Sequence, residues 1–495
     1  MSATDTAATL LAQSPSLPAR PWPRRLLTAP AWRALADALH HDPLALLAMW
    51  ADASHVHALF LADAQEPALA SVAVDAGAYP ALSPARPGAA WFERAIRDLW
   101  GHEAAGGTDA RPWLDHGRWP NHRPMSPRPA PAEAPEPPEF LGEPADGTHQ
   151  VPLGPVGADR RGLDGAAHLR LTVSGDTVLR AEALGGYGHR GLLAAMAGRT
   201  PQSAAPLAAR LASDAGVAHA AAFARAVEAA VGARPPPRAE AIRAAALELE
   251  RVAGLLGALH RIADTAGAPC ASGFGLLRER VLRGCGLAFG QRLMLDVVVP
   301  GGLSADPAPA GLSALRATLD QAAAALPELV RRCDGLLRRA EGLGVVTPRT
   351  ATLLGAGGVP GRASGRGFDA RLLFGPAPAP TVSHAGDAAA RIRLRLHELA
   401  GSLDAAADLL DTLPTGPIAA PLPQADGEGL GAAESARGDC WAWLSLAGGT
   451  IAGVFLRDPA WAAWPLLETA LRGERLESVP LIARSLDCAM AGMDL

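Results

Sequence analysis

The chain has 495 residues, 49% of them hydrophobic and 19% charged, with a formal net charge of -5, and a length of this order holds about two to four domains. The negative balance gives no basic field to gather a polyanion, so nucleic acid is excluded as a partner. Cys270, Cys285, Cys333, Cys440 and Cys488 are odd in number and widely spaced, which excludes a disulfide framework and a local Cys-x-x-Cys clamp and fits a reducing compartment.

From the N-terminus, residues 1–30 are Ala, Thr, Ser and Pro with little periodicity and are expected to be disordered. Arg24-Arg25 before Leu26-Leu27 imitates a secretion signal, but Pro30 interrupts the apolar stretch and Arg33 ends it, so no signal peptide is expected. Residues 31–119 read as a small α/β module. Leu35, Leu39, Leu46 and Met49 place a helix over Ala31–Trp50, Val56–Leu61 and Ser71–Val74 are β-type runs, and Trp91–Trp100 is helical again.

Residues 120–147 carry nine prolines, which remove donors and favour extended backbone, so this stretch reads as a linker. Residues 148–495 form a second, larger domain. His168–Val173 and Thr177–Ala181 flank Ser174-Gly175-Asp176 as a hairpin. Four helices follow, Pro201–Val231, Arg238–Ala266, Leu312–Ala340 and Asp387–Leu413, with apolar stripes such as Leu249, Val252, Leu256 and Leu259; such stripes bury against one another in a bundle. The uncharged run Cys440–Leu456 is broken by Gly448-Gly449, so it is a pair of strands and not a membrane span. Trp461–Leu471 is a last helix. The fold class expected is α+β: a small N-terminal α/β module, a proline-rich linker, then a large, mainly helical bundle domain with small β-sheet elements.

Several motifs tempt. Gly186-Tyr187-Gly188-His189-Arg190-Gly191 matches Gly-x-Gly-x-x-Gly, but no acidic residue stands about twenty positions on and no strand completes a βαβ unit, so an NAD-type dinucleotide site is not supported. His397-Glu398 lacks the second His of a zinc-protease helix. His55 and His57 share a strand face, but two ligands are half a metal site. Ser364, in Gly361-Arg362-Ala363-Ser364-Gly365, is one residue out of register for a nucleophile elbow. Arg391, Arg393, Arg395 and Glu398 read as a structural ion-pair network, because buried guanidinium groups must be satisfied.

Taken in order, other segments say more. Trp91-Phe92-Glu93-Arg94 with Asp98 and Gly101, Asp109-Ala110-Arg111, Gly154-Pro155, the His189-Arg190-Gly191 loop, Glu248-Leu249-Glu250-Arg251 and Pro300-Gly301-Gly302 stand in a characteristic sequence. Glu434-Ser435-Ala436-Arg437-Gly438-Asp439, Leu471-Arg472-Gly473 and Ser485-Leu486-Asp487 close it. This ordered set resembles the fused C/D-type large subunit of formate hydrogenlyase and hydrogenase-4 complexes, the group 4 nickel–iron hydrogenases. It is more distantly similar to the two equivalent subunits of respiratory complex I, the NADH:quinone oxidoreductase.

The resemblance implies an electron-transferring complex on the cytoplasmic face of the inner membrane, a small iron–sulfur subunit carrying a cluster beside this chain, and antiporter-like membrane subunits. A nickel–iron site needs four thiolates from two Cys-x-x-Cys pairs. In the family's register those positions are Ala212, Ala215, Ala489 and Gly492 here. No metal and no cofactor held by this chain alone is therefore expected. Complex I has a quinone pocket at the same place, with a Tyr where this chain has Ser213, and the Glu-Lys pair after the H-R-G loop is Leu193-Ala194 here. The resemblance thus leaves His168, His189, Arg190, Asp214 and His219 as a candidate quinone or redox pocket; the alternative is a non-catalytic structural or coupling subunit. It also implies that His189, Arg190, Arg210 and His219 converge with Asp487 and Asp494, with Asp214 or Asp487 within reach of the two arginines.

Overall fold

A computed structural model describes residues 6–61, 66–131, 139–141, 145–154, 165–375 and 377–495. Parts of the proline-rich stretch, 132–138 and 142–144, and Pro155 of the Gly154-Pro155 motif lie outside the described residues.

Residues 1–5 of the segment expected to be disordered lie outside the described residues, and residues 6–30 depart from that expectation. Thr6 caps the helix Ala7–Gln13, which buries Ala7 and Leu11, and Arg24–Leu27 joins a five-stranded sheet in parallel with Pro67–Ala73. Arg24 also pairs with Glu428 at 2.9 Å. The order comes from partners far along the chain, which local periodicity does not register. The helix expected over Ala31–Trp50 is also shorter. It spans Ala29–Leu39, Pro43 keeps the residue before it out of the helical region, and Ala45–Ala51 is a strand buried along its whole length. A short, continuously apolar run cannot be assigned by period alone.

That sheet has the order Ser16–Leu17, Arg24–Leu27, Pro67–Ala73, His55–Leu61, Ala45–Ala51. The helix Ala89–Trp100 packs on its last strand. Trp50 stacks on Phe455 at 5.4 Å, and Phe92 on Trp461 at 4.5 Å. The two expected modules therefore share one core across the proline-rich stretch.

In the larger part, the hairpin is a three-stranded sheet of Thr148–Leu153, His168–Ser174 and Thr177–Leu184. The bundle consists of Pro237–Thr265, Ala271–Phe289, Pro309–Arg331 and Ala388–Asp411, each packed on two of the others. Ala271–Phe289 thus takes the place expected for Pro201–Val231, which splits into Pro201–Ala208 and Gly216–Val231. The break at 209–215 is held by Glu250, whose carboxyl oxygens accept from Val217 N at 2.7 Å and Ala218 N at 3.0 Å, satisfying the donors of a new helix start.

The helix Gly216–Val231 crosses a second sheet, Gly427–Glu434, Asp439–Ala447 and Thr450–Arg457. A Cβ at Gly427, Gly429 or Gly431 would lie 2.3, 1.9 or 2.2 Å from the carbonyl oxygens of Ala230, Ala226 and Ala222. Glycines two apart in the strand face alanines four apart in the helix, so backbone meets backbone and the first turn of the helix, with His219, is driven under the sheet. Among the described residues no helix is long and apolar enough to cross a membrane.

Candidate functional site

The strand Thr177–Leu184 ends in the Gly-rich loop, and that loop holds an anion of its own chain. Asp494 accepts from Gly186 N through Oδ1 and from Gly188 N through Oδ2, each at 2.7 Å. Gly186 has φ +83°, and a Cβ at Gly188 would lie 2.8 Å from Asp494 Oδ2. Gly188 is thus needed for close approach of the carboxylate, and Gly186 for the left-handed turn and its contact with the Leu114 carbonyl, 2.6 Å from where a Cβ would lie. Burial, against those two N–H groups, pushes the Asp494 carboxyl up to about 6. His189 Nδ1 lies 2.6 Å from the Asp494 carbonyl, which makes Nδ1 the donor and leaves Nε2 an acceptor. Burial holds this imidazole below its ordinary range.

Arg190 then ties two loops together. Its guanidinium donates to the carbonyls of Arg210 and Leu211, both at 2.6 Å, and to that of Ala491 at 3.2 Å. The segments bearing Ala212 with Ala215, and Ala489 with Gly492, therefore meet at one side chain, nearly three hundred residues apart in sequence. The expected pairing with Asp214 or Asp487 is not what satisfies these arginines. Arg190 uses carbonyls because the loop backbones are what it reaches, and Arg210 forms a two-point pair with Asp296 at 2.6 and 2.7 Å on the surface. Asp487 pairs instead with Arg261 at 2.7 Å.

Beneath these loops lies a buried charge network. His219 Nε2 is 2.8 Å from Asp458 Oδ2, the same oxygen accepts from Arg437 Nη2 at 3.1 Å, and Arg437 Nη2 also reaches Asp214 Oδ1 at 3.0 Å. Burial would raise the Asp458 carboxyl, but Arg437 and His219 hold it well below its usual range. Cys440 Sγ sits 3.7 Å from His219 Nε2, with its thiol pushed well up by burial. His219, Cys440 and Asp458 bring three ligand-type atoms within 4.8 Å of one another. These residues do not fit a nickel–iron centre: one thiol is not four thiolates, and the Asp458 oxygen is already shared by an imidazole and a guanidinium.

Among the described residues, the five candidate pocket residues fall at separate places. His189 and Arg190 border a cavity of about 330 Å³ with Leu99, Trp119, Pro124 and Leu193, where Trp119 stacks on His189 at 4.2 Å. Asp214 lines a different void of about 20 Å³ beside Ser213 and Glu250, room for about one water. His219 is fully buried. His168 starts its own strand, with Phe140 and Arg170 as its neighbours.

The remaining motifs resolve into structure. His57 is buried between Ser71 Oγ at 2.7 Å and Asp52 at 3.1 Å, Ser364 Oγ donates to the Pro360 carbonyl, and His397 meets Thr381. Glu398 pairs with Arg251 and Arg362, while Arg391 donates to the Gly344 and Gly386 carbonyls. Asp458 was missed by reading the sequence. Its signal is local, an Asp before Pro459 whose Oδ1 accepts from Ala460 N at 2.9 Å at the start of the helix Ala460–Ala470.

With this geometry in place, comparison with known proteins gives a consistent answer. Residues 269–426 match the family "Respiratory-chain NADH dehydrogenase, 49 Kd subunit". The chain is 30% identical to formate hydrogenlyase subunit 5 of Escherichia coli (strain K12) over 83% of this chain and 75% of that one. It is 28% identical to hydrogenase-4 component G of the same organism, over 84% and 76%. To NADH-quinone oxidoreductase subunit 4 of Thermus thermophilus it is 28% identical over 68% and 93%. A chain of the membrane-bound sulfane sulfur reductase, an archaeal respiratory membrane complex, superposes with a TM-score of 0.66 at 27% identity, over 71% of this chain and all of the other.

Proposed function

This chain belongs to the family of large subunits that includes formate hydrogenlyase subunit 5 and hydrogenase-4 component G, and from that membership we propose that it is the large-subunit component of a membrane-associated oxidoreductase complex in which it couples and positions its partners. The observation that carries this reading is the network filling the ligand region. Asp458 stands over Gly492, paired with His219 and Arg437, where the resemblance puts a metal. Partners are a small iron–sulfur subunit against the Arg190 loops and antiporter-like membrane subunits, with the chain peripheral on the cytoplasmic face. Affinity purification of the tagged chain in mild detergent tests it. Co-purification of a small cluster protein and integral membrane subunits in fixed ratio is expected, and recovery of the chain alone overturns the reading.

A second reading is favoured by the 330 Å³ cavity. An apolar chamber with a stacked Trp119–His189 pair and an acceptor at His189 Nε2 suits the ring of a quinol, which would exchange electrons with the partner's cluster. Binding of a short-chain quinone analogue to the complex, abolished by Leu193→Trp, supports it. Binding unaffected by that substitution removes the site.

A further inference from the structure

Two thiols that neither reading uses lie at one end of the bundle. Cys270 sits just before the helix Ala271–Phe289 and Cys333 just before Asp334–Ala340, and their sulfurs are 3.3 Å apart. The two cysteines are 63 residues apart in sequence and both thiols are free. The segments that carry them are already clamped together. Arg332 donates to the Pro269 carbonyl and Arg339 to that of Ala266, both at 2.6 Å. Bringing the sulfurs to a bonding distance of about 2.0 Å therefore asks for side-chain rotation, not for two elements to travel.

We propose that Cys270 and Cys333 form a reversible redox modification site, a dithiol that a hydroperoxide converts to a disulfide across the end of the helical bundle. Cys270 is the attacking sulfur. The Cys333 thiol, which points at it, lowers the Cys270 thiol against the opposing effect of burial, with smaller help from the Cys270 backbone N–H and the nearby Arg332. Cys333, whose thiol the facing Cys270 sulfur and burial push well up, stays protonated and is the resolving group. Both sulfurs are buried, but Gly267, Pro269, Ser272, Arg331 and Arg332 around them are exposed, so the pair lies one residue beneath the surface.

The step balances. The Cys270 thiolate attacks one peroxide oxygen, an S–O bond forms as the O–O bond breaks, and the leaving oxygen takes a proton to give water or an alcohol. The Cys333 sulfur then attacks the Cys270 sulfur, an S–S bond forms as the S–O bond breaks, and the hydroxide leaves as water with the Cys333 proton. Two electrons pass from the sulfurs to the peroxide. A small-molecule dithiol reverses the bond by exchange. Cys285, by contrast, has its thiol pushed up to about 12 by burial, so oxidation is selective for the pair.

The test uses the full chain, purified reduced, treated with hydrogen peroxide, blocked by alkylation and mapped by non-reducing mass spectrometry. A Cys270–Cys333 linked peptide that dithiothreitol removes is expected, forming faster as the pH rises. Cys333→Ser should accumulate a sulfenic acid at Cys270, captured by dimedone, while Cys270→Ser should give neither product. The unmutated chain unfolded in urea controls for chance pairing. Linkage of other cysteines in the folded chain, or a reduced pair after exhaustive peroxide treatment, overturns the proposal.

Discussion

The Asp458 side chain lies where any side chain at Gly492 would begin: a Cβ there would be 2.2 Å from Asp458 Cγ and 2.3 Å from its Cβ. Gly492→Ala must therefore push Asp458 away from His219 and Arg437. Breaking a buried charge pair in this way costs about 3–5 kcal/mol, and urea unfolding should show a lowered midpoint. Ala489→Cys, at a half-buried position whose carbonyl and not its side chain holds Trp464, should be much milder. Restoring Cys at 212, 215, 489 and 492 together should not restore nickel binding, because Asp458 and the groups around it do not suit the metal.

Asp494→Asn tests the anion grip of the Gly-rich loop. The new amide nitrogen would face either Gly186 N or Gly188 N, leaving one backbone donor unsatisfied at about 1–3 kcal/mol. Amide hydrogen exchange at Gly186 or Gly188 should quicken, with the helical bundle unaffected.

Arg190 and Arg210 should part company. Removing Arg190 strips three carbonyls on two loops of their donor, the Leu211 contact being part-buried and the other two exposed, which should cost about 1–2 kcal/mol. Arg210 and Asp296 are 45% and 44% exposed, so Arg210→Ala should cost under about 1 kcal/mol and less at high salt. Thermal unfolding of the two variants separates them; equal losses would contradict the geometry.

Much of this was readable beforehand. Period-3.6 stripes such as Leu249, Val252, Leu256 and Leu259 identify bundle helices because each buries one face, and the hairpin around Gly175 follows from its turn residues. The strand Ala45–Ala51 and the break at 209–215 were not, since a run buried on both faces has no period and Glu250 caps its helix from 33 positions away. At the site, the loss of thiolates is a matter of residue identity, and sequence conveys it. What fills the space is not, because Asp458, Gly492 and His219 become neighbours only through the close seating of the alanine-rich helix on the Gly427–Gly431 strand.

Glu250 gives a pH signature. Burial, opposed by the Val217 and Ala218 N–H groups, pushes its carboxyl from 4.5 up to about 8. The folded chain then keeps a proton that the unfolded chain releases, so this stability is present below pH 4.5 and is lost as the pH rises through about 8. Between pH 5 and 8 the unfolding free energy of the wild type should fall relative to Glu250→Gln, by on the order of 4 kcal/mol. Parallel pH profiles for the two proteins would show that Glu250 is ionised throughout.

The central claim, that this large subunit works without a nickel centre of its own, is tested most directly by nickel content. The intact complex should be purified without oxygen from nickel-supplemented cells and analysed by inductively coupled plasma mass spectrometry. Nickel at background level per chain is expected from Ala212, Ala215, Ala489 and Gly492; about one nickel per chain, as a four-thiolate site would hold, would contradict it.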